Sequence, residues 1–318
     1  MNGTAQGISL LVVAPDGSLE NRGVAAAADS PTFLKRAGDL VYSVAEGSAG
    51  VAVYRMSGEQ LFFHGMQDAA GDLPCSLAVL NNRSALVVAC YGSGAIDVHP
   101  LAPDGSIART GQTLLGSGSG PWAAQDGPHA HDVLQVDDST VLTTDLGSDD
   151  VYVHSYQGEL LTRTGAVKLP TGSGPRDLFL HPSGAVWVLA ELSNEIFVLS
   201  PGVDGFAISH QVALPGAEHG DHAAALALSA DGRFAYSGLR GSDNVSVLAV
   251  SDDGSALMPV GFVGCGGSWP RHLVVDGPWL RVANQLSNSV VTFAIGDDGM
   301  PVEHSSLRIP SPAYLLLD

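Results

Sequence analysis

Apolar and polar residues alternate along this chain in short runs, and turn residues cut the runs at regular spacing. The stretch Pro175-Arg-Asp-Leu-Phe-Leu is followed by His181-Pro-Ser-Gly, then Ala185 to Glu191, Leu192-Ser-Asn, and Glu195 to Leu199. β-Branched and aromatic alternation between such breaks predicts strand, tight turn, strand, tight turn, strand. Similar units begin at Pro31, Pro74, Ala130, Ala223, Pro270 and Pro312. Their fourth residues, Leu34, Leu77, Val133, Leu178, Leu226, Leu273 and Leu315, recur at intervals of 42 to 56 residues.

Short strands repeating every 40 to 50 residues or so are the pattern of β-propeller blades. Seven anchors predict an all-β, seven-bladed β-propeller, one domain over residues 1–318. The last unit holds a single strand, Ala313 to Leu317. Its partners are expected from the N-terminus, where Ile8 to Val13, Pro15-Asp-Gly and Ser18-Leu19 read as a hairpin. The last blade is therefore expected to close with strands from both termini, which removes ring edges open to aggregation.

Composition narrows the function. The 39 glycines and 18 prolines fit turns repeated around a ring, and 45% hydrophobic residues exclude disorder. With 14 basic and 33 acidic residues the net charge is −19, which argues against nucleic acid and anionic membranes as partners. Three cysteines, Cys75, Cys90 and Cys265, form no CxxC pair, so a reducing, cytoplasmic setting is expected. Met1 to Thr4 carries no basic leader, and no apolar run approaches the roughly 20 residues of a membrane span. A monomer or weak homo-oligomer is expected.

A propeller blade sets its first strand against the central channel, so its first residues and the end of the second strand ring one channel mouth. The strand-one positions are Thr32, Cys75, His131, Arg176, Ala224, Arg271 and Ala313; the strand-two positions are Glu46, Tyr91, Leu146, Glu191, Arg240 and Gln285. Three of only twelve arginines fall on this register. A wet channel needs polar lining whatever it does, but converging mixed charges also mark functional clefts. Arginines bind phosphate or carboxylate bidentately, and a histidine with a glutamate moves protons.

Several motifs carry a resemblance. Ala45-Glu-Gly, Pro128-His-Ala-His, Thr144-Asp-Leu-Gly, Gly172-Ser-Gly-Pro-Arg-Asp-Leu-Phe-Leu-His-Pro-Ser-Gly, Ala190-Glu-Leu-Ser-Asn, Leu239-Arg-Gly-Ser-Asp-Asn, Pro270-Arg-His-Leu and Ala283-Asn-Gln-Leu-Ser-Asn stand in order along the chain. Together they resemble the lactonase family of seven-bladed propellers, which includes 6-phosphogluconolactonases and a carboxymuconate lactonizing enzyme. The resemblance implies hydrolysis of a sugar lactone, most readily 6-phosphogluconolactone in the pentose phosphate pathway, without metal or cofactor. Carboxymuconate-type cycloisomerisation is the alternative chemistry, and a noncatalytic binding scaffold the alternative class. It implies His131, Glu191, Arg176 and Arg240 as catalytic residues, with Glu191 or His131 as base and the other as acid. Arg271, Glu46, Gln285 and His129 are expected to bind the small anionic substrate. The chain departs from the family at Ser76, where histidine is common, and at Cys90, where asparagine is common; both are expected at the rim.

Other motifs read as structure. His129 and His131 share a strand face but lack a third ligand, Glu218-His-Gly-Asp-His222 reads as a solvated acidic loop, and Gly116 to Gly120 lacks the lysine of a phosphate loop.

Overall fold

A computed structural model describes residues 6–81, 83–202 and 205–317. Met1 to Thr4, read above for a leader, lie outside the described residues. The described chain forms six four-stranded antiparallel sheets and one two-stranded sheet, joined in sequence as blades of a β-propeller. Blade one is Leu34–Ala37, Leu40–Ala45, Gly50–Ser57 and Gln60–Asp68, paired in that order.

Inner strands Pro74–Val79, Ala130–Gln135, Pro175–Leu180, His222–Leu228 and Pro270–Asp276 open blades two to six. Second strands sit between an inner and a third strand and pack on both faces. Ala85–Cys90 and Val186–Ala190 are buried at every residue, which is why they read as unbroken apolar runs rather than alternating ones. Outer strands such as Gln60–Asp68 alternate toward solvent. The core is a ring of clusters between adjacent blades. One joins Trp187, Leu189 and Ile196 to Ala223, Leu239 and Leu248.

Each turn from second to third strand ends in a left-handed residue: Ala49, Gly94, Asp149, Asn194, Asp243 or Asn288. Asp and Asn tolerate this region better than most residues. Asp149 adds a second role, because its carboxylate accepts from the backbone N–H of Gly172 and Gly174 and fixes the loop ahead of Arg176.

The seventh position departs from expectation. The N-terminal hairpin is present as β1 (Gly7–Val13) and β2 (Leu19–Ala27). Residues 313–317, expected as the closing strand, pair with no strand. They are held by side chains instead: the Tyr314 ring packs, tilted, between those of Phe33 and His272, and the Leu315 N–H donates to His272 Nδ1 at 3.2 Å. A strand needs a partner for its ladder, and among the described residues none lies beside this segment.

Candidate active site

The inner strands begin with a register shift in blades two to six, between Pro74 and Ser76, Ala130 and Val133, Pro175 and Asp177, Ala224 and Leu226, and Pro270 and His272. A bulge re-aims side chains. Here it turns two consecutive residues of one strand toward the channel axis. Cys75 and Ser76, His131 and Asp132, Arg176 and Asp177, and Arg271 and His272 all line one axial cavity of about 40 Å³. The first member of each pair lies nearer the mouth.

Seven of the eight residues singled out from the sequence gather at this mouth, and His129 reaches it only through Tyr91, whose ring also meets His131. Glu191, directly after its strand, is the hub. Its Oε2 lies 2.8 Å from Arg176 Nη1 and 2.7 Å from Arg240 Nη2, and its Oε1 accepts from His222 Nδ1 at 3.2 Å. Arg176 Nη1 also donates to His131 Nε2. Arg240 is anchored by donating Nε to the His222 carbonyl at 3.0 Å, and its guanidinium faces the Trp269 ring. A second group completes the ring. Arg271 lies 3.7 Å from Glu46 and 3.5 Å from Gln285 Oε1, and Thr32 donates to Glu46 at 2.7 Å. His129 stacks on Tyr91, with its ring nitrogens on the Tyr91 carbonyl and the Asp126 carboxylate.

Three arginines face two glutamates around the mouth, with the Asp132 and Asp177 carboxyls beneath them in the same cavity. Burial alone would raise the Glu191 pKa, but Arg240 and Arg176, with the His222 hydrogen bond, outweigh it and hold the carboxyl well below its usual range. His131 is also held well below its usual value, by burial and then by the Arg176 charge. Burial lowers Arg240 to about 10, which leaves it charged at neutral pH.

The deeper residues form an acid pair. Asp132 accepts from Ser76 Oγ and from the Leu178 N–H at 2.9 Å, and Asp177 accepts from the Leu226 N–H at 2.8 Å. Burial and the neighbouring Asp132 push Asp177 up to about 7.

Two sequence expectations change. Cys90 is not at the rim: it is fully buried, with its thiol toward Asp97 inside the blade. Ser76 lies one residue below the mouth, on Asp132. The loop Glu218 to His222 is divided. Asp221 is structural, accepting from the Glu218 N–H and from both Ser242 donors. His222 belongs to the site and was missed, because the register chosen on apolar anchors selected Ala224 in that blade. Its pairing with Arg240 across the first two strands was the available signal.

In sequence and fold the chain is similar to known proteins. A model of the lactonase, seven-bladed β-propeller, family matches residues 1–316. A 6-phosphogluconolactonase of Bacillus subtilis is 31% identical over 286 residues, covering 85% of this chain and 81% of that relative. The solved structure of a periplasmic gluconolactonase of Pseudomonas aeruginosa superposes with a TM-score of 0.92 at 27% identity, covering 98% of this chain and 94% of that one. A protein from Lactobacillus plantarum superposes at 0.91 with 29% identity, covering 98% and 95%. With fold and sequence in agreement, the chain belongs to the lactonase family of seven-bladed β-propellers.

Proposed function

We propose that this protein hydrolyses a phosphorylated sugar lactone, 6-phosphogluconolactone, to its open-chain acid in the pentose phosphate pathway, without a metal. The observation that carries the proposal is Glu191 clasped by Arg176, Arg240 and His222, with Arg271 lining the same cavity as Arg176. The name of the Bacillus subtilis relative supports the substrate.

Lactone hydrolysis needs an activated water, donors for the oxyanion and a proton for the leaving alkoxide. Glu191 is a poor base, because two arginines hold its charge. The Nε2 lone pair of His131 is occupied by Arg176. His222 is the remaining proton carrier, and its side chain is 38% exposed where Glu191 is 13%. Its Nδ1–H on Glu191 fixes the tautomer, so Nε2 takes the proton from the attacking water. Glu191 stays ionised and stabilises the imidazolium, as the acid of a catalytic triad does. The remaining N–H donors of Arg176 and Arg240 hold the developing oxyanion, and Arg271 holds the phosphate. The imidazolium then returns its proton to the alkoxide as the ring opens. His131 stays neutral and buttresses Arg176.

Replacing His222 by glutamine should lower kcat about 10²- to 10⁴-fold, with the circular dichroism spectrum unchanged and EDTA without effect on the parent. An unchanged kcat would remove His222 from the mechanism.

A further inference from the structure

Five segments of the chain enter the channel through a proline, and the residue ahead of that proline is left-handed each time. These residues are Ser30, Leu73, Gly174, Trp269 and Ser311, with φ between 42° and 66°. The backbone thus imposes the conformation at this step, whatever the side chain. Glycine meets it without steric cost, as Gly174 does, whereas a bulky residue meets it only under strain. Trp269, at 66°, is the aromatic member of the set. Strain of this kind persists where a side chain is wanted in one place, and it gathers at ligand sites.

Packing does not account for the tryptophan. Among the described residues Trp269 belongs to none of the interblade clusters, and it stays half-buried. Trp122 and Trp187 donate their indole N–H groups to the Gly172 and Gly254 carbonyls. The hydrogen bonds of Trp269 are those of its backbone. Its N–H donates to Asp243 at 2.6 Å, and its carbonyl accepts from the Gln285 N–H at 3.0 Å. Its Nε1–H donates to no described residue, so the donor is left for a ligand.

The position of the ring says which ligand. Its centroid lies 5.6 Å from the Arg240 guanidinium, and Arg271 follows two residues along the chain. These two arginines are the groups assigned above to the oxyanion and the phosphate. The carbon skeleton of a phosphorylated sugar lactone joins those two ends and has to pass the indole. Arginines and carboxylates bind its charges and hydroxyls but offer nothing to its C–H face. An aromatic plane covers that face, and the indole N–H adds a donor for one hydroxyl.

We propose that Trp269 is a specificity-determining residue whose indole packs against the hydroxylated ring of the substrate and selects a sugar phosphate over a bare anion. This role rests on the reading of the mouth as a lactonase site, but binding tests it separately from turnover.

The probe is glucose 6-phosphate, which carries a sugar ring and a phosphate but no ester to hydrolyse. Its dissociation constant and that of inorganic phosphate are measured by calorimetry for the parent and for Trp269→Phe, Trp269→Leu and Trp269→Gly. Leucine keeps a strain that the fold accepts at Leu73, and glycine removes it. The leucine and glycine variants should bind glucose 6-phosphate about tenfold more weakly than the parent, and the phenylalanine variant within about threefold. Inorganic phosphate should bind all four alike. Equal affinity of the parent and the leucine variant for glucose 6-phosphate would overturn the proposal, as would a parent that does not bind it. A parallel loss for inorganic phosphate would also overturn it, because Trp269 would then act by holding the arginines. Hydrolysis is assayed alongside. Trp269-dependent binding by a protein that leaves 6-phosphogluconolactone intact would sink the lactonase reading and uphold the ring contact. Hydrolysis with binding indifferent to Trp269 would do the reverse.

Discussion

At the residue scale, the mouth works because each charged group has a fixed partner. Arg176 and Arg240 hold Glu191, which leaves His222 as the proton-carrying group with the more exposed side chain. Beneath them, Asp177 keeps a proton that an unfolded chain releases. Its carboxyl, raised by burial and by Asp132, titrates at about 7 when folded, against about 3.9 unfolded. Between those values the folded chain binds the extra proton, so the stability from this group falls as pH rises and is gone above about 7. Asp177→Asn keeps an oxygen for the Leu226 N–H and removes the titration. Urea midpoints from pH 5 to 8 should decline less steeply in the variant than in the parent; parallel declines would refute the assignment. His131, Arg176, Glu191 and Arg240 were legible in the sequence because they stand at fixed offsets from apolar anchors. His222 was not, because it opens its strand two residues ahead of the register position Ala224, with the register shift and the left-handed Ala225 (φ 59°) coming after it.

At the element scale, turn chemistry made the blades legible. Pro-Ser-Gly and Asp-Gly breaks mark hairpins, and continuous apolar runs mark strands buried on both faces. Val186–Ala190 is the clearest case, with Leu189 fully buried in the cluster shared with the next blade. Leu189→Ala should cost about 2–5 kcal/mol in urea unfolding; a loss below about 1 kcal/mol would mean the interblade cluster collapses around the gap. Residues 313–317 show what alternation cannot tell. Their pattern is compatible with a strand, but a ladder depends on a neighbour elsewhere in the chain, and a local pattern carries no information about that neighbour.

At the scale of the whole molecule, the net charge and the arginines of the site act on an anion in opposite directions. A chain of net charge −19 repels an anionic lactone from a distance, while three arginines attract it at contact. Salt screens the first interaction more than the second, because the Debye length falls from about 30 Å at 0.01 M to about 8 Å at 0.15 M. kcat/KM for a phosphorylated lactone should therefore rise over that range, and a steep fall would show that long-range attraction dominates instead. The most direct measurement of the central claim is the initial rate of 6-phosphogluconolactone hydrolysis by the purified protein above the spontaneous rate. Saturable acceleration, insensitive to EDTA and competitively inhibited by 6-phosphogluconate, is the predicted result. A folded protein that leaves the spontaneous rate unchanged for this lactone would contradict it.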